Sequence, residues 1–148
     1  MKKIPLLIPA MPTADAVLPY LHEVDRNLWY TNFGPLNRRF EAKILGDIAP
    51  GLGQENITTV SNCTVGLELA LQSCGVGAGG RVLVPSLTFV ATATAIVRAG
   101  MTPVFADIDA GSWCLTPEIA ARVVSSVDAV MPVSTFGVGR PQSGHRTL

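Results

Sequence analysis

Arg81-Val82-Leu83-Val84-Pro85-Ser86-Leu87-Thr88-Phe89 decides how this chain is read. A short branched apolar run without polar alternation predicts a strand buried on both faces, and Pro85-Ser86 ends it and opens the next segment. Three further runs repeat the pattern: Ile57 to Val60, Pro103 to Ala106 and Ala129 to Val133. Helix-length segments separate them. Leu67, Ala70, Leu71 and Cys74 fall at i, i+3, i+4 and i+7 of one, while Phe89, Ala93, Ile96 and Val97 stripe another that Gly100 closes. Thr116-Pro117 is an N-cap and first-turn pair for a third helix through Val124. Such alternation predicts right-handed crossovers that lay helices over a mainly parallel sheet.

Outward from this core the pattern changes. Met1-Lys2-Lys3 and the proline-cut apolar run Ile4-Pro5-Leu6-Leu7-Ile8-Pro9 imitate a signal peptide, but the run is too short for one. A helix is predicted over about Ala14 to Leu28, where Val17, Leu18, Leu21, Val24 and Leu28 recur at helical spacing, with Pro19 tolerable only near its first turn. Thr31-Asn32-Phe33-Gly34-Pro35 reads as a turn, followed by a second helix through Phe40 and Ile44. Gly137 to Leu148 has no periodicity and reads as a tail. The expected organisation is therefore an arm with helices over 1–56, the βα units over 57–136 and the tail over 137–148.

The 148 residues, 48% hydrophobic and 15% charged, suit one globular domain. Eleven basic and eleven acidic residues cancel without a basic block, which gives no electrostatic footprint for nucleic acid or an anionic membrane. No run is long and apolar enough to span a bilayer. Cys63, Cys74 and Cys114 are odd in number and lack metal-ligand spacing, so reduced thiols in a cytoplasmic protein are expected.

Chemistry concentrates at strand-to-helix junctions. At Ser61-Asn62-Cys63-Thr64, free backbone N–H groups and the positive end of a helix dipole converge, which suits a phosphate; Gly66 lies one turn further in. The alternative is an ordinary helix cap by Ser61 or Asn62. Cys63 as a nucleophile lacks a credible base, since His22 lies in the first helical stretch and His145 in the tail. His22-Glu23-Asp25 has no convincing metal-ligand spacing. Phe89, at the carboxyl edge of its strand, either lies across a flat ring or packs in the core. Asp107 and Asp109 are a carboxylate pair on that edge or simply turn formers before Gly111. Gly75-Val76-Gly77-Ala78-Gly79-Gly80 has the letters of a dinucleotide fingerprint, yet it follows a helix and precedes a strand, so a Rossmann-type nucleotide-binding module is the weakest reading.

Taken in order, several segments resemble the N-terminal part of the DegT/DnrJ/StrS type of sugar aminotransferases. They are Ile4-Pro5, Tyr30-Thr31-Asn32-Phe33-Gly34-Pro35, Phe40-Glu41, Val60-Ser61-Asn62-Cys63-Thr64, Val84-Pro85, Thr88-Phe89, Pro103-Val104-Phe105, Asp107-Ile108-Asp109, Met131-Pro132-Val133 and Phe136-Gly137. The resemblance implies an incomplete three-layer α/β/α large domain of the pyridoxal-phosphate aminotransferase fold behind a helical arm. It implies that the backbone at Asn62, Cys63 and Thr64, with the Thr64 hydroxyl, holds the phosphate of pyridoxal 5'-phosphate, and that Phe89 stacks on its ring. Relatives commonly have glycine where this chain has Cys63. The parent reaction would pass an amino group, usually from glutamate, to a nucleotide-linked keto sugar, in a homodimer.

Relatives continue beyond Phe136-Gly137 with an acidic motif and then a lysine that carries the cofactor covalently. This sequence has only Lys2, Lys3 and Lys43. The resemblance therefore predicts a chain truncated or frame-shifted after about Gly137, without catalytic residues of its own. The other possibility is a non-catalytic remnant that binds a cofactor, a sugar or a partner. The resemblance also implies that later strands complete the sheet, which would leave Ile57 to Val60 without its usual partners.

Overall fold

The structure is a computed structural model that describes Ile4, residues 8–137 and Gly139. Most of the expected tail, with His145, lies outside the described residues, as do Lys2, Lys3 and Pro5. The chain forms two compact units, Met1–Thr59 and Val60–Leu148.

In the second unit the βα alternation is realised. Helix α3 (Cys63–Ser73) leads through a glycine loop to strand β1 (Arg81–Pro85), followed by α4 (Val90–Arg98), β2 (Thr102–Ala106), α5 (Pro117–Ala120) and β3 (Ala129–Val130). The earlier helices are α1 (Ala14–Asn27) and α2 (Pro35–Ile48), both in the first unit. All strand pairs are parallel and the sheet order is β2-β1-β3, with Leu83 opposite Val104 on one side and Val130 on the other.

β1 is buried on both faces, as its unbroken apolar run predicts. Val82 and Val84 pack with Leu71 of α3, Ala95 and Ile96 of α4, and Met101. Leu83 points the other way, into Leu115 and Ala120. That alternation makes three layers, helix on sheet on helix. Gly100 at φ +79° makes the turn from α4 into β2, a conformation open to glycine and strained for other residues.

Several expectations are corrected. Ile57 to Val60 is not a strand; among the described residues no strand pairs with it, and the Thr59 N–H donates instead to Glu41 Oε1 at 3.0 Å. An apolar run becomes a ladder only where a neighbour offers backbone partners. β3 stops at Val130, short of Val133, and α5 ends at Ala120, with turns and a 3-10 segment, Val124–Ser126, replacing the expected helix through Val124. On α3, Leu67 and Leu71 face the core but Ala70 and Cys74 are exposed; on α4 the buried face is Thr92, Ala95 and Ile96, while Phe89 and Val97 are exposed. A stripe sinks only as far as the sheet beneath it extends.

The first unit departs further. No residue of α1 is buried, and its expected stripe leaves Leu18, Leu21 and Leu28 exposed. Pro19 is the sixth residue of α1, beyond the first turn, where it removes one N–H from the helical ladder. α2 begins at Pro35, as the turn reading requires, and buries Glu41 and Leu45.

Candidate functional site

In a parallel βα arrangement each helix runs back against its strands. The N-termini of α3 and α4 therefore lie at the carboxyl edge of the sheet, where open α/β folds take their ligands. α3 opens at Cys63 with Asn62 as its cap: Asn62 Oδ1 accepts from Val65 N–H at 3.0 Å and Asn62 O accepts from Gly66 N–H at 3.1 Å. These bonds occupy the third and fourth amides of the helix. The amides of Cys63 and Thr64 and the Thr64 hydroxyl make no hydrogen bond to protein among the described residues.

Asn62 is thus a helix cap, and its capping leaves the first two donors pointing outward. Capping and anion binding are compatible here because they use different amides. Gly66 serves packing: a Cβ there would meet Val60 Cγ2 at 3.2 Å. Cys63 is exposed, with no histidine among its described partners.

Phe89 is the N-cap residue of α4 and is 77% exposed, so it is not the core aromatic that helix periodicity suggests. It lines a groove of about 390 Å³ with Leu87, Thr88, Thr92, Thr135 and Phe136, a size in the range of small-molecule sites. The Thr88 and Thr92 hydroxyls are 2.8 Å apart and brace the turn that presents the ring. A cradle of unpaired amides and an apolar groove with an open aromatic face fit a phosphate and a flat ring, respectively.

The other candidates resolve plainly. Asp109 Oδ2 accepts from Ser112 N–H at 2.6 Å and Asp109 O from Trp113 N–H at 2.7 Å, while Asp107 Oδ1 accepts from Ile108 N–H at 2.8 Å. Asp109 builds the turn that follows it, and Asp107 accepts from its neighbour's amide. Gly75 to Gly80 is the loop between α3 and β1, at the opposite end from a dinucleotide site. No group of acidic, histidine and cysteine side chains capable of holding a metal exists among the described residues. No helix among them is long and apolar enough to cross a membrane. The residues that sequence reasoning missed are Thr135 and Phe136 as groove wall; Phe136-Gly137 stood in the motif series, but no physical role could be read from it.

Fold and edge together define an incomplete α/β/α architecture with helix N-termini at the carboxyl edge of its parallel sheet. The chain belongs to the DegT/DnrJ/EryC1/StrS aminotransferase family, whose profile matches residues 13–142. It is 35% identical over 146 residues to Protein Rv3402c of Mycobacterium tuberculosis, covering 95% of this chain and 35% of that protein. It is 32% identical over 136 residues to the dTDP-4-amino-4,6-dideoxy-D-glucose transaminase of Escherichia coli, covering 91% and 35%. Among solved structures, one assigned as a PLP-dependent aminotransferase from Bacillus cereus ATCC 10987 superposes with a TM-score of 0.88 at 32% identity, over 99% of this chain and 40% of that one. The chain spans about a third of the length of the curated relatives it matches.

Proposed function

We propose that this chain supplies the phosphate cradle and the ring-stacking aromatic of a pyridoxal-phosphate-dependent sugar aminotransferase. Cys63 and Thr64 bind the phosphate through their amides and the Thr64 hydroxyl, Asn62 fixes the helix start that aims them, and Phe89 covers one face of the ring. When bound, the cofactor supplies an electron sink for chemistry at the carbon bearing the amino group. Residues 57–136 carry the first βα units of the cofactor domain behind the arm and helices of 1–56. The parent reaction is transfer of an amino group from an amino acid such as glutamate to a nucleotide-linked keto sugar, in a cytoplasmic homodimer. The relative named as a dTDP-sugar transaminase supports the substrate class. The observation that carries the cofactor reading is the pair of unpaired α3 amides beside an unpaired threonine hydroxyl.

By itself the chain binds without turnover. Its lysines are Lys2, Lys3 and Lys43, none in a segment matching the family's lysine-bearing motif, and no other side chain replaces a lysine as both covalent anchor and proton carrier. One experiment tests both halves. Titration with pyridoxal 5'-phosphate should show saturable binding that Thr64→Ala weakens by about 1.5 to 3 kcal/mol, the worth of a donor to a charged acceptor. Cys63→Gly should match or exceed the parent chain. Borohydride reduction should leave no lysine stoichiometrically labelled; a single labelled lysine with turnover of a keto sugar would sink the claim of inactivity. Equal affinity in the parent chain and Thr64→Ala would return the junction to an ordinary cap.

A further inference from the structure

Part of the Phe89 groove is held by a device that the cofactor reading does not use. Phe136, in the turn Thr135–Gly137, has φ +57°, and Trp113, in the loop between β2 and α5, has φ +59°. Left-handed backbone is uncommon for bulky side chains and persists where surrounding contacts over-determine it. Here the two strained residues meet: their rings lie 5.7 Å apart at 57°, within the range of favourable tilted aromatic pairs. The Thr135 hydroxyl also donates to Trp113 O at 2.7 Å. Ring and backbone are therefore tied at adjacent positions.

The Trp113 loop is a firm anchor. Asp109 closes it through bonds from Ser112 and Trp113, the Asp109 N–H donates to Cys114 O at 3.0 Å, and Cys114 and Leu115 are buried directly behind. Phe136, by contrast, is 82% exposed, and among the described residues the one backbone bond that closes its turn is Gly137 N–H to Ser134 O at 3.0 Å. An exposed ring on a one-bond turn keeps its place only if something outside holds it.

We propose that Trp113 and Thr135 are positioning residues that hold Phe136 as a second aromatic in the lining of the groove that Phe89 also lines. The groove then offers a flat heteroaromatic ring apolar contact from both side chains. This rests on the cofactor reading above, and the ligand class is the same.

The test uses the full chain and three variants: Trp113→Ala, Trp113→Phe and Thr135→Val. Two quantities are measured, the hydrogen-exchange rate of the Gly137 amide without ligand and the Kd for pyridoxal 5'-phosphate. Amide exchange in β1 serves as the control that the fold is intact. Trp113→Ala should raise both Gly137 exchange and Kd about fivefold, the ratio carried by an aromatic pair of ordinary strength. Trp113→Phe should restore both, and Thr135→Val should raise both about fivefold through one lost hydrogen bond. If the parent chain binds and Trp113→Ala leaves either quantity unchanged, or Trp113→Phe fails to restore it, the proposal is overturned. If the parent chain does not bind, the cofactor reading falls, and the Gly137 response alone upholds or overturns the anchoring.

Discussion

Met1–Thr59 and Val60–Leu148 obey the same helical periodicity and reach different ends. In the second unit Val82, Leu83, Val84, Ala95, Ile96 and Ala120 are fully buried, whereas α1 in the first unit buries nothing over fourteen residues. The difference is not in the stripes. Val17, Leu18, Leu21, Val24 and Leu28 are as regular as Leu67 and Leu71, but the second unit has a sheet beneath its helices and the first has none among its described residues. Most helix stability in proteins comes from packing an apolar face and little from propensity, so spacing predicts a helix without predicting what covers it.

The contrast breaks most clearly under truncation of matched leucines. Leu83→Ala removes a fully buried side chain from between Val104 and Val130 and should cost about 2 to 5 kcal/mol, whereas Leu21→Ala on exposed α1 should stay within about 0.5 kcal/mol. Native-state hydrogen exchange at β1 amides reads both. Equal losses would mean that α1 is covered in solution and that the two units are not built differently.

How much of this was readable from residues alone follows the same division. β1, β2, the starts of α1, α2 and α5, and the turn role of Asp109 rest on local chemistry: branched runs, caps such as Thr116, a proline at the first helical position, and side chains that bond their own backbone. These were legible. Ile57 to Val60 was not, because its apolar composition is right for a strand but a strand also needs a neighbour. The Ala70, Cys74 and Val97 positions fail for the same reason one layer higher. At the candidate site, strand-to-helix context pointed to Asn62, Cys63 and Thr64, whereas Phe89 was ambiguous and Trp113 gave no signal. Its ring contact with Phe136 joins residues 23 positions apart through backbone of positive φ, which no spacing rule anticipates.

The first unit does contain a part-buried polar joint, and its loss should come next in size. Glu41, only 6% exposed, accepts from the Thr59 N–H at 3.0 Å, and the Thr59 hydroxyl lies 3.1 Å from Glu41 Oε1 and 2.7 Å from Asn37 Oδ1. One hydroxyl proton cannot serve two acceptors. With the Asn37 amide turned round, its NH2 group donates to Thr59 Oγ1, which donates on to Glu41; this also pairs the otherwise unpartnered Asn37 Nδ2. Glu41→Ala strands both Thr59 donors and should cost about 1 to 3 kcal/mol, read as faster exchange of the Thr59 amide. Thr59→Val, which keeps the amide bond, should cost less. No change in Thr59 exchange on removing Glu41 would show that this joint does not hold the end of the first unit.

The smallest effects should come from helix caps, where the two units differ in readout more than in energy. Asn62 caps α3 through Val65 N–H at 3.0 Å, and Thr13 caps α1 through Ala16 N–H at 3.3 Å. Replacing either by alanine removes one acceptor and costs about 1 kcal/mol. In α3 that cost is set against a helix whose Leu67 and Leu71 are seated in the core, so Asn62→Ala should lower stability while leaving helix content unchanged. α1 has no buried side chain and carries Pro19 in its interior, so its folded population rests on weak terms, its cap and the surface ion pair of Glu23 with Arg39 of α2. Thr13→Ala should therefore lower the far-ultraviolet helical signal directly, with no change in β1 exchange. Pro19→Ala, which restores an interior N–H, should raise that signal. If Thr13→Ala instead slowed or sped exchange in β1, the first unit would be helping to hold the second, and the two would have to be treated as one cooperative body.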